Sequence, residues 1–452
     1  MGPADKTRLF GTDGIRAPFG SYPLDRVTVR GLGLHLGERL AKGSTSPAVV
    51  LGGDTRSSTE EICEWLVEGL GQAGAVEHYG GVLPTPAIAH LVKELSADAG
   101  IAVSASHNLH PDNGIKLFSS EGVKWSVADE SALEELLHHP VALDERRKTD
   151  LEVEPELAER YVRSLIERHR GKESLSGLRV ALDTANGAAT PFAADVFRQL
   201  GAEVLTLFDR PDGHNINAGC GSTQPEKLAQ TVVAEGCDLG IAFDGDADRA
   251  IFVDERGEIQ DGDALLYLWA VGLAKAGELA PAKIVATTMS NLGLEIALDK
   301  HGIGVVRCGV GDRTVVETMK REGIELGGEQ SGHIVDAGLT TTGDGLVTAI
   351  EVSTMISRGA RPLSELLADL ERLPQVLHNV RVASKPPLDG LPRVAATARQ
   401  IEDRLGDRGR LVLRYSGTEP LARVMIEGSE LAEIESMAAE LIGVIQQEVG
   451  EG

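Results

Sequence analysis

The stretch LGIAFDGDADRA (Leu239 to Ala250) joins a five-residue apolar segment to a loop that carries three alternating aspartates and an arginine. Such a segment, ended by a polar turn, is typical of a buried strand in a parallel sheet. Two further apolar segments end in the same way, before SASHN (Ser104 to Asn108) and before GEQSGH (Gly328 to His333). Because ligands of open parallel sheets bind beyond the carboxyl ends of the strands, we expect the three loops to meet at one cleft.

Along most of the chain, β-rich segments alternate with amphipathic helical segments, which is the pattern of βαβ units. From Val376 onward the pattern becomes that of a smaller domain. We therefore predict an α/β fold with three consecutive βαβ-type mixed-sheet domains plus a smaller C-terminal α+β domain around a central cleft. The predicted domains span residues 1–150, 151–257, 258–372 and 373–452. Linkers are predicted at Leu143–Glu159 and Arg372–Gln375, and the hydroxyls of Ser57–Thr59 are expected to cap a helix.

The composition argues against several classes of protein. The longest apolar stretch, Ala264–Ala274, is far shorter than the roughly 20 residues of a membrane helix. The start, Met1–Asp5, lacks the features of a secretion signal, so we expect a cytoplasmic protein. The net charge of −25 argues against nucleic acid or a membrane as a partner. Four cysteines without a CxxC pair are expected to be buried, reduced thiols.

Asp244, Asp246 and Asp248 alternate, so an extended backbone places their side chains on one side. Three like charges this close repel one another unless a cation or protons neutralise them. Carboxylate oxygens suit a hard ion, and Mg²⁺ also takes phosphate oxygens and water as ligands. The pattern therefore favours a magnesium site, beside which Arg249 can donate hydrogen bonds to an anion.

Three other interpretations of this loop are weaker. An EF-hand calcium loop needs glycine at its sixth position, where Arg249 stands, although Glu255 does fall at the twelfth. A solvated acidic turn is common near glycine, but these acids follow a buried strand, where an unneutralised cluster is costly. A strand followed by Asp-x-Asp also resembles haloacid-dehalogenase phosphatases, which usually have Thr or Val where Asp248 stands.

The SASHN loop supplies a hydroxyl and an imidazole, Ser106 and His107, and Lys116 follows ten residues after the serine. A histidine rarely reaches the hydroxyl of the residue next to it, and no acid in this loop orients His107. The loop therefore does not indicate a Ser-His-Asp triad.

Two later loops have the composition of ligand-binding loops. Glu329, Ser331 and His333 offer a carboxylate, a hydroxyl and an imidazole for vicinal sugar hydroxyls. RYSGTEP (Arg414 to Pro420), with Arg423 beyond it, combines hydroxyls and backbone N–H groups with two arginines, which suits an anion. An ordinary hairpin turn with surface arginines is the alternative. Together with the metal loop, these features indicate phosphoryl chemistry on a sugar phosphate.

Five motifs carry a family resemblance: FGTDGIR (Phe10 to Arg16), SASHN with DNGIK (Asp112 to Lys116), DGDADR, GEQSGH and RYSGTEP. In this order, and spread over nearly the whole chain, they resemble the α-D-phosphohexomutase superfamily. The stretches NINAGCGST, CGVGDR and TTGDG are most similar to members that act on amino-sugar phosphates. Members that act on glucose or mannose phosphates, in which the third loop commonly reads GEMSGH, are the alternative.

The resemblance implies that Ser106 is a phosphorylated nucleophile whose phosphate binds one Mg²⁺ together with the three aspartates. Phosphoserine would phosphorylate glucosamine 6-phosphate, and the resulting bisphosphate would turn over in the cleft. The product would be glucosamine 1-phosphate, which feeds UDP-N-acetylglucosamine and cell-wall precursor synthesis. A sugar bisphosphate is the implied activator. The sequence leaves the oligomeric state open, with a homodimer as one option.

The resemblance also implies the remaining roles. Arg16, His107 and Lys116 would assist proton transfer and charge stabilisation near Ser106, and Arg249 would steady the phosphoryl group. Sugar hydroxyls would be bound by Glu329, Ser331 and His333, and the non-reacting phosphate by Arg414, Ser416, Gly417, Thr418 and Arg423. Two positions depart from the family pattern: Ala17 stands where glycine is usual, and Leu109 where proline is usual.

Overall fold

The computed structural model describes residues 8–137, 151–169, 175–416 and 420–450. It divides into two compact units. The first comprises Met1–Thr287 and Val306–Ala368, and the second comprises Thr288–Val305 and Asp369–Gly452.

The first block of the first unit is a mixed sheet with helices. Its elements are β1 (Phe10–Gly11), β2 (Gly14–Pro18), α1 (Arg26–Leu40), β3 (Ala48–Gly53), α2 (Thr59–Gln72), β4 (Val76–Val82), α3 (Thr85–Leu95), β5 (Ala99–Val103), β6 (Asp112–Ser119) and α4 (Val127–Leu137). The strand order is β1-β2-β6-β5-β3-β4. β3 pairs in parallel with β4 and β5, whereas β6 is antiparallel to β5 and β2. Every residue of β5 is buried, so the SASHN loop leaves the interior of the sheet.

The second block carries the aspartate loop. Its elements are α5 (Pro155–Glu167), β7 (Arg179–Asp183), α6 (Ala193–Gln199), β8 (Glu203–Leu207), α7 (Glu226–Glu235), β9 (Leu239–Phe243), β10 (Ala250–Asp254) and β11 (Ile259–Gln260). The strand order is β11-β10-β9-β7-β8, with β7 parallel to β8 and β9. β9 and β10 are antiparallel, and Phe243 faces Ala250 in register. The three aspartates therefore lie in the tight connection between two fully buried strands.

The elements that follow are α8 (Gly262–Ala276), β12 (Lys283–Thr287), α9 (Leu292–Asp299), β13 (Gly304–Cys308), α10 (Asp312–Glu322), β14 (Leu326–Gly328), β15 (Ile334–Asp336), α11 (Gly345–Gly359) and α12 (Leu363–Leu366). The four strands form a sheet in the order β13-β12-β14-β15, and GEQSGH lies at the turn from β14 to the antiparallel β15. α9 belongs to the second unit.

The C-terminal block comprises β16 (Gln375–Arg381), α13 (Pro392–Leu405), β17 (Gly409–Tyr415), β18 (Leu421–Gly428) and α14 (Leu431–Val449). Its antiparallel sheet has the order β16-β18-β17. Apolar residues of α13 and α14 pack on one face of this sheet to form a separate core. The predicted sequence of mixed-sheet α/β blocks followed by a smaller α+β block is confirmed.

Some local predictions were wrong. Residues 143–150 of the predicted linker lie outside the described residues, but Pro155 to Glu159 begin α5 and Gln375 begins β16. α5 is strongly amphipathic: Leu157, Tyr161 and Leu165 are buried four residues apart, and its charged residues face outward.

The predicted hydroxyl cap of α2 is also wrong. Ser58 occupies the N-cap position but makes no capping bond, and its hydroxyl accepts the Asn113 amide at 2.9 Å. The prediction for the cysteines is confirmed, since all four are free and buried. In the described ranges, no helix has both the length and the apolar character needed to cross a membrane.

Candidate active site

The loops after β5, β9 and β14 line one cavity of about 470 Å³. Its wall includes His107 from the first loop, Asp248 and Arg249 from the second, and Glu329 and His333 from the third. The structure thus brings the three loops together.

Ser106 is held in a strained conformation at the start of its loop. It is fully buried, and its backbone adopts a left-handed φ of 52°, which is uncommon for a residue other than glycine. The Ser106 hydroxyl donates a hydrogen bond of 2.6 Å to Oδ2 of Asp244, and its N–H donates to the Ser104 hydroxyl at 2.9 Å. This geometry places the hydroxyl of the first block directly on the first carboxylate of the second.

A buried ion pair fixes the loop that carries Ser106. Arg56 bonds to Asp54 at 2.9 Å, and both side chains are fully buried. The Arg56 guanidinium also donates to the carbonyls of Ser106, Asn108 and Leu109, at 3.1, 2.7 and 2.7 Å. Sequence reasoning missed this arginine because the carbonyls that it holds lie about fifty residues away.

Asn217 holds the same loop from the second block. Its amide donates to the carbonyls of Ser106 and Asn108, both at 2.9 Å. Gly245 completes the contact, because a Cβ there would lie 2.5 Å from the Ser106 carbonyl oxygen. Asn217 lies in the NINAGCGST stretch, so the motif contained a signal that the residue analysis did not use.

Asp244, Asp246 and Asp248 are buried, and one oxygen of each lies within 4.8 Å of the others. Oδ1 of Asp246 and Oδ1 of Asp248 accept no hydrogen bond from the described residues. Burial and the charges of Asp248 and Asp246 raise the pKa of Asp244 well above its usual value. Unsatisfied, mutually repelling carboxylate oxygens fit a hard divalent cation.

Lys116 supplies positive charge to this cluster. Its Nζ lies 2.8 Å from Asp246, 3.2 Å from Asp248 and 3.1 Å from Asp13. Burial opposes the charge of Lys116, but Asp13 and the two loop aspartates outweigh it and raise its pKa well above the usual value. Sequence reasoning missed Asp13, although it lies within the quoted FGTDGIR motif.

Three further predicted residues, Arg16, His107 and Arg249, line the cavity. His107 Nδ1 lies 3.3 Å from the Ser106 hydroxyl, so the expectation that this histidine does not reach the hydroxyl was wrong. Burial, followed by the charges of Arg249 and Arg16, lowers the pKa of His107 to about 4, so its imidazole is neutral at pH 7. Nε of Arg249 lies 3.7 Å from Asp248, and Arg16 pairs with Asp13.

The third loop presents Glu329 and His333 to the cavity, whereas Ser331 is not among the described residues that line it. His333 Nδ1 lies 3.6 Å from Asp248, and its Nε2 accepts the Gly343 N–H at 3.2 Å. A Cβ at Gly343 would lie 2.4 Å from that nitrogen, so only glycine fits there. The TTGDG stretch therefore positions the imidazole.

A second network at the cavity was not predicted. Lys124, largely buried, pairs with both Asp13 and Asp312, and Arg313 pairs with Glu130 at 2.5 Å. Asp312 and Arg313 belong to CGVGDR, whereas nothing around Lys124 in the sequence indicates its role.

In the second unit, Arg414 on β17 faces Arg423 on β18 in register. The Ser416 carbonyl at the end of β17 accepts the Lys385 ammonium at 2.6 Å, which adds a cation that sequence reasoning missed. The predicted residues Gly417 and Thr418 lie outside the described residues.

The two departures from the family pattern leave the site intact. Ala17 lies in β2 and is not among the residues with positive φ, so the lack of glycine there causes no backbone strain. Leu109 exposes 54% of its surface, and its carbonyl still accepts Arg56.

Sequence comparison relates every block to one family. The matching domain families are the phosphoglucomutase/phosphomannomutase alpha/beta/alpha domain I at residues 7–142, domain II at 159–257, domain III at 261–373 and the C-terminal domain at 377–444. The chain belongs to the phosphoglucomutase/phosphomannomutase family. This result confirms the resemblance to phosphohexomutases.

Curated relatives match this family member from end to end. A phosphoglucosamine mutase from Solibacter usitatus is 45% identical over 449 residues, which cover 98% of this chain and 99% of the relative. Another from Syntrophotalea carbinolica is 44% identical over 453 residues, covering 98% of each.

Solved structures share the fold. A phosphoglucomutase/phosphomannomutase family protein from Burkholderia thailandensis has a TM-score of 0.81 at 24% identity, covering 98% of both chains. An N-acetylphosphoglucosamine mutase from Aspergillus fumigatus, in complex with GlcNAc-6P and magnesium, has a TM-score of 0.66 at 17% identity, covering 97% of this chain and 95% of its own.

Proposed function

We propose that this protein is a phosphoglucosamine mutase that interconverts glucosamine 6-phosphate and glucosamine 1-phosphate through a phosphoserine. The observation that carries the proposal is the buried Ser106 hydroxyl, 2.6 Å from Asp244 in a loop of three aspartates. Full-length relatives named phosphoglucosamine mutase, at 44–45% identity, support the amino-sugar substrate.

The number of phosphoryl groups on the enzyme and the sugar together does not change during the reaction. The P–O bond to Ser106 breaks as a bond forms to the free hydroxyl of the sugar phosphate, and this hydroxyl loses its proton. The bisphosphate then presents its other phosphate, and Ser106 Oγ takes that phosphoryl group while the sugar oxygen recovers a proton. The enzyme leaves the cycle phosphorylated, so a sugar bisphosphate is needed only to prime it.

Asp244, Asp246, Asp248 and the phosphate on Ser106 would hold one Mg²⁺. The two unsatisfied aspartate oxygens support this ligand set. When bound, the ion would offset the carboxylate charge and stabilise charge on the phosphoryl oxygens. The Aspergillus mutase that shares the fold was captured with magnesium and a sugar phosphate together.

The surrounding side chains supply proton transfer and charge stabilisation. The neutral imidazole of His107, 3.3 Å from Ser106, can accept or return a proton, and the charged Lys116 and Arg249 stabilise the phosphoryl group in transit. Arg16 lines the cavity and adds positive charge there.

Two groups of residues would position the substrate. Glu329, Ser331 and His333 would bind sugar hydroxyls. The non-reacting phosphate would be bound by Arg414, Ser416, Gly417, Thr418 and Arg423. Arginine pairs suit phosphate because their donors form charge-assisted bonds.

The test offers glucosamine, glucose and mannose 6-phosphates in parallel with a catalytic amount of glucose 1,6-bisphosphate. We expect the highest kcat/KM for glucosamine 6-phosphate. A preference for glucose or mannose 6-phosphate would assign the chain to the other substrate branch of its family. Release of inorganic phosphate without isomerisation would instead indicate a phosphatase.

A further inference from the structure

A second cavity of about 390 Å³ lies in the first unit and shares no lining residue with the candidate active site. It is lined by residues of α3, α5, the segment 337–344 and the start of α11. Its volume falls within the range of about 300–1,000 Å³ that is usual for small-molecule sites.

Two cations on the wall of this cavity, Arg168 and Lys93, form no ion pair within 4 Å with a described residue. Nη1 of Arg168, at the end of α5, is buried and has no hydrogen-bond partner among the described residues. Lys93, in the last turn of α3, makes no ion pair within the described part of the chain. Burial and the charge of Arg168 lower the pKa of His90, Glu94 opposes this shift, and Lys93 adds a smaller lowering effect.

The two acids on the cavity wall, Glu94 and Asp344, already have ion-pair or hydrogen-bond partners in the protein. Glu94 pairs with Arg160 at 2.8 Å and lies 3.4 Å from His90. Asp344 accepts the Tyr161 hydroxyl at 2.9 Å and caps α11 by accepting the Val347 N–H at 3.0 Å. The charge of Arg168 lowers the pKa of Asp344, but no hydrogen bond between these two residues is found in the described ranges.

We propose that this cavity is a regulatory site for a small metabolite that carries an oxyanion, either phosphate or carboxylate. The oxyanion accepts charge-assisted bonds from the Lys93 ammonium and from the Arg168 guanidinium, both of which line the cavity. The body of the metabolite rests on the apolar lining residues that expose surface, Ala337 and Leu339.

The cavity is connected to the metal loop through two helices. α3 begins at Thr85, whose hydroxyl donates to Asp246 at 2.6 Å and whose N–H donates to the Asp246 carbonyl at 3.0 Å. α11 begins at Gly345, whose N–H donates to the Ala247 carbonyl at 2.9 Å. A ligand that contacts both helices can therefore alter the position of the aspartates.

The test measures binding of inorganic phosphate and of malonate to the dephosphorylated enzyme by calorimetric titration. Arg168→Gln and Lys93→Gln remove one cation each, and Arg163→Gln removes an exposed cation from α5 outside the cavity. We expect the wild type and Arg163→Gln to bind one more equivalent of anion than the other two variants. The anion that shows this difference identifies the ligand as a phosphate or a carboxylate.

Equal stoichiometry in all four proteins, for both anions, would overturn the proposal. Lys93 is exposed, so Lys93→Gln keeps the test valid if Arg168→Gln does not fold. Binding is measured without turnover, so the result does not depend on which sugar phosphate the enzyme isomerises. In kinetic assays, the bound anion should change kcat at saturating substrate in the wild type and not in Lys93→Gln.

Discussion

Thr85 is the one residue of α3 that bonds the side chain of a metal-loop aspartate among the described contacts, through its 2.6 Å bond to Asp246. We predict that Thr85→Val weakens Mg²⁺ binding by about 10- to 100-fold, because the proposed metal ligand Asp246 loses the donor that orients it. Calorimetric Mg²⁺ titration and the Mg²⁺ dependence of kcat measure the effect.

The matched control is Thr348→Val. Thr348 is equally buried, but its hydroxyl has no hydrogen-bond partner in the described ranges. This variant should bind Mg²⁺ like the wild type. Equal Mg²⁺ affinity in both variants would show that Thr85 does not orient the aspartate.

Sequence reasoning located some site residues and missed others for a physical reason. Alternating acids and a Ser-His pair are visible locally, so Ser106 and the three aspartates were found. Arg56 holds carbonyls about fifty residues away, and Lys124 pairs with Asp312, 188 residues away. No local pattern marks such residues, and only the folded chain reveals their roles.

A side chain at Gly343, in the turn before α11, should clash with the imidazole of His333. Gly343→Ala would drive a methyl group to 2.4 Å from His333 Nε2 and displace the imidazole. We predict that kcat/KM falls by about 10²-fold, mainly through a higher KM, because a displaced sugar-binding group misplaces the substrate. In the control, Gly443→Ala in α14, the methyl group meets no atom within 4 Å, and activity should not change. Wild-type kinetics in Gly343→Ala would refute the role of His333.

The buried carboxyl of Asp183, the last residue of β7, should make the stability of the protein depend on pH. Burial raises the pKa of Asp183 to about 6, although the N–H groups of Gly221 and Ala185 oppose this shift. The unfolded chain loses this proton near pH 4, so the native state binds the extra proton between about pH 4 and pH 6. The contribution of Asp183 to stability is therefore full below that window and decreases as the pH rises through it.

Denaturant titrations of the wild type and Asp183→Asn test this sign. Relative to the variant, the wild type should lose about 3 kcal/mol of unfolding free energy between about pH 4 and pH 7. A constant difference across this range would mean that Asp183 keeps its usual pKa in the folded protein.

The sequence predicted the ends of an element correctly where one hydrophobic pattern runs through the whole segment. β9 coincides with the five-residue apolar segment that begins at Leu239, because a continuous apolar run defines it. α5 was mistaken for a linker because its exposed face is charged and only every fourth residue is buried. Charge density alone therefore does not distinguish a linker from a surface helix.

The inclusion of residues 288–305 in the second unit has no local signal in the sequence. Residues 288–305 belong with the C-terminal block. The Asn291 amide donates to the Leu373 carbonyl and its oxygen accepts the Leu373 N–H, both at 3.0 Å, and Glu427 accepts the Leu292 N–H at 3.2 Å. These bonds span roughly 80 and 135 residues, so periodicity within either segment does not reveal them.

The second unit should contribute binding without metal chemistry. We predict that Arg423→Ala raises the KM for the phosphosugar by about 10- to 100-fold, the cost of one or two charge-assisted bonds, and leaves Mg²⁺ affinity unchanged. Arg399→Ala removes an exposed charge from α13 of the same unit and should leave both constants unchanged. An unaltered KM in Arg423→Ala would eliminate its role in binding phosphate.

The central claim is that a hydroxyl of the first block carries the phosphoryl group beside three carboxylates of the second. Intact-mass analysis after incubation with glucose 1,6-bisphosphate, followed by peptide mapping, tests it most directly. The account predicts one phosphoryl group per chain on Ser106, none on Ser106→Ala, and a loss of more than about 10³-fold in mutase activity in that variant. An unmodified wild-type chain, or full activity in Ser106→Ala, would contradict it.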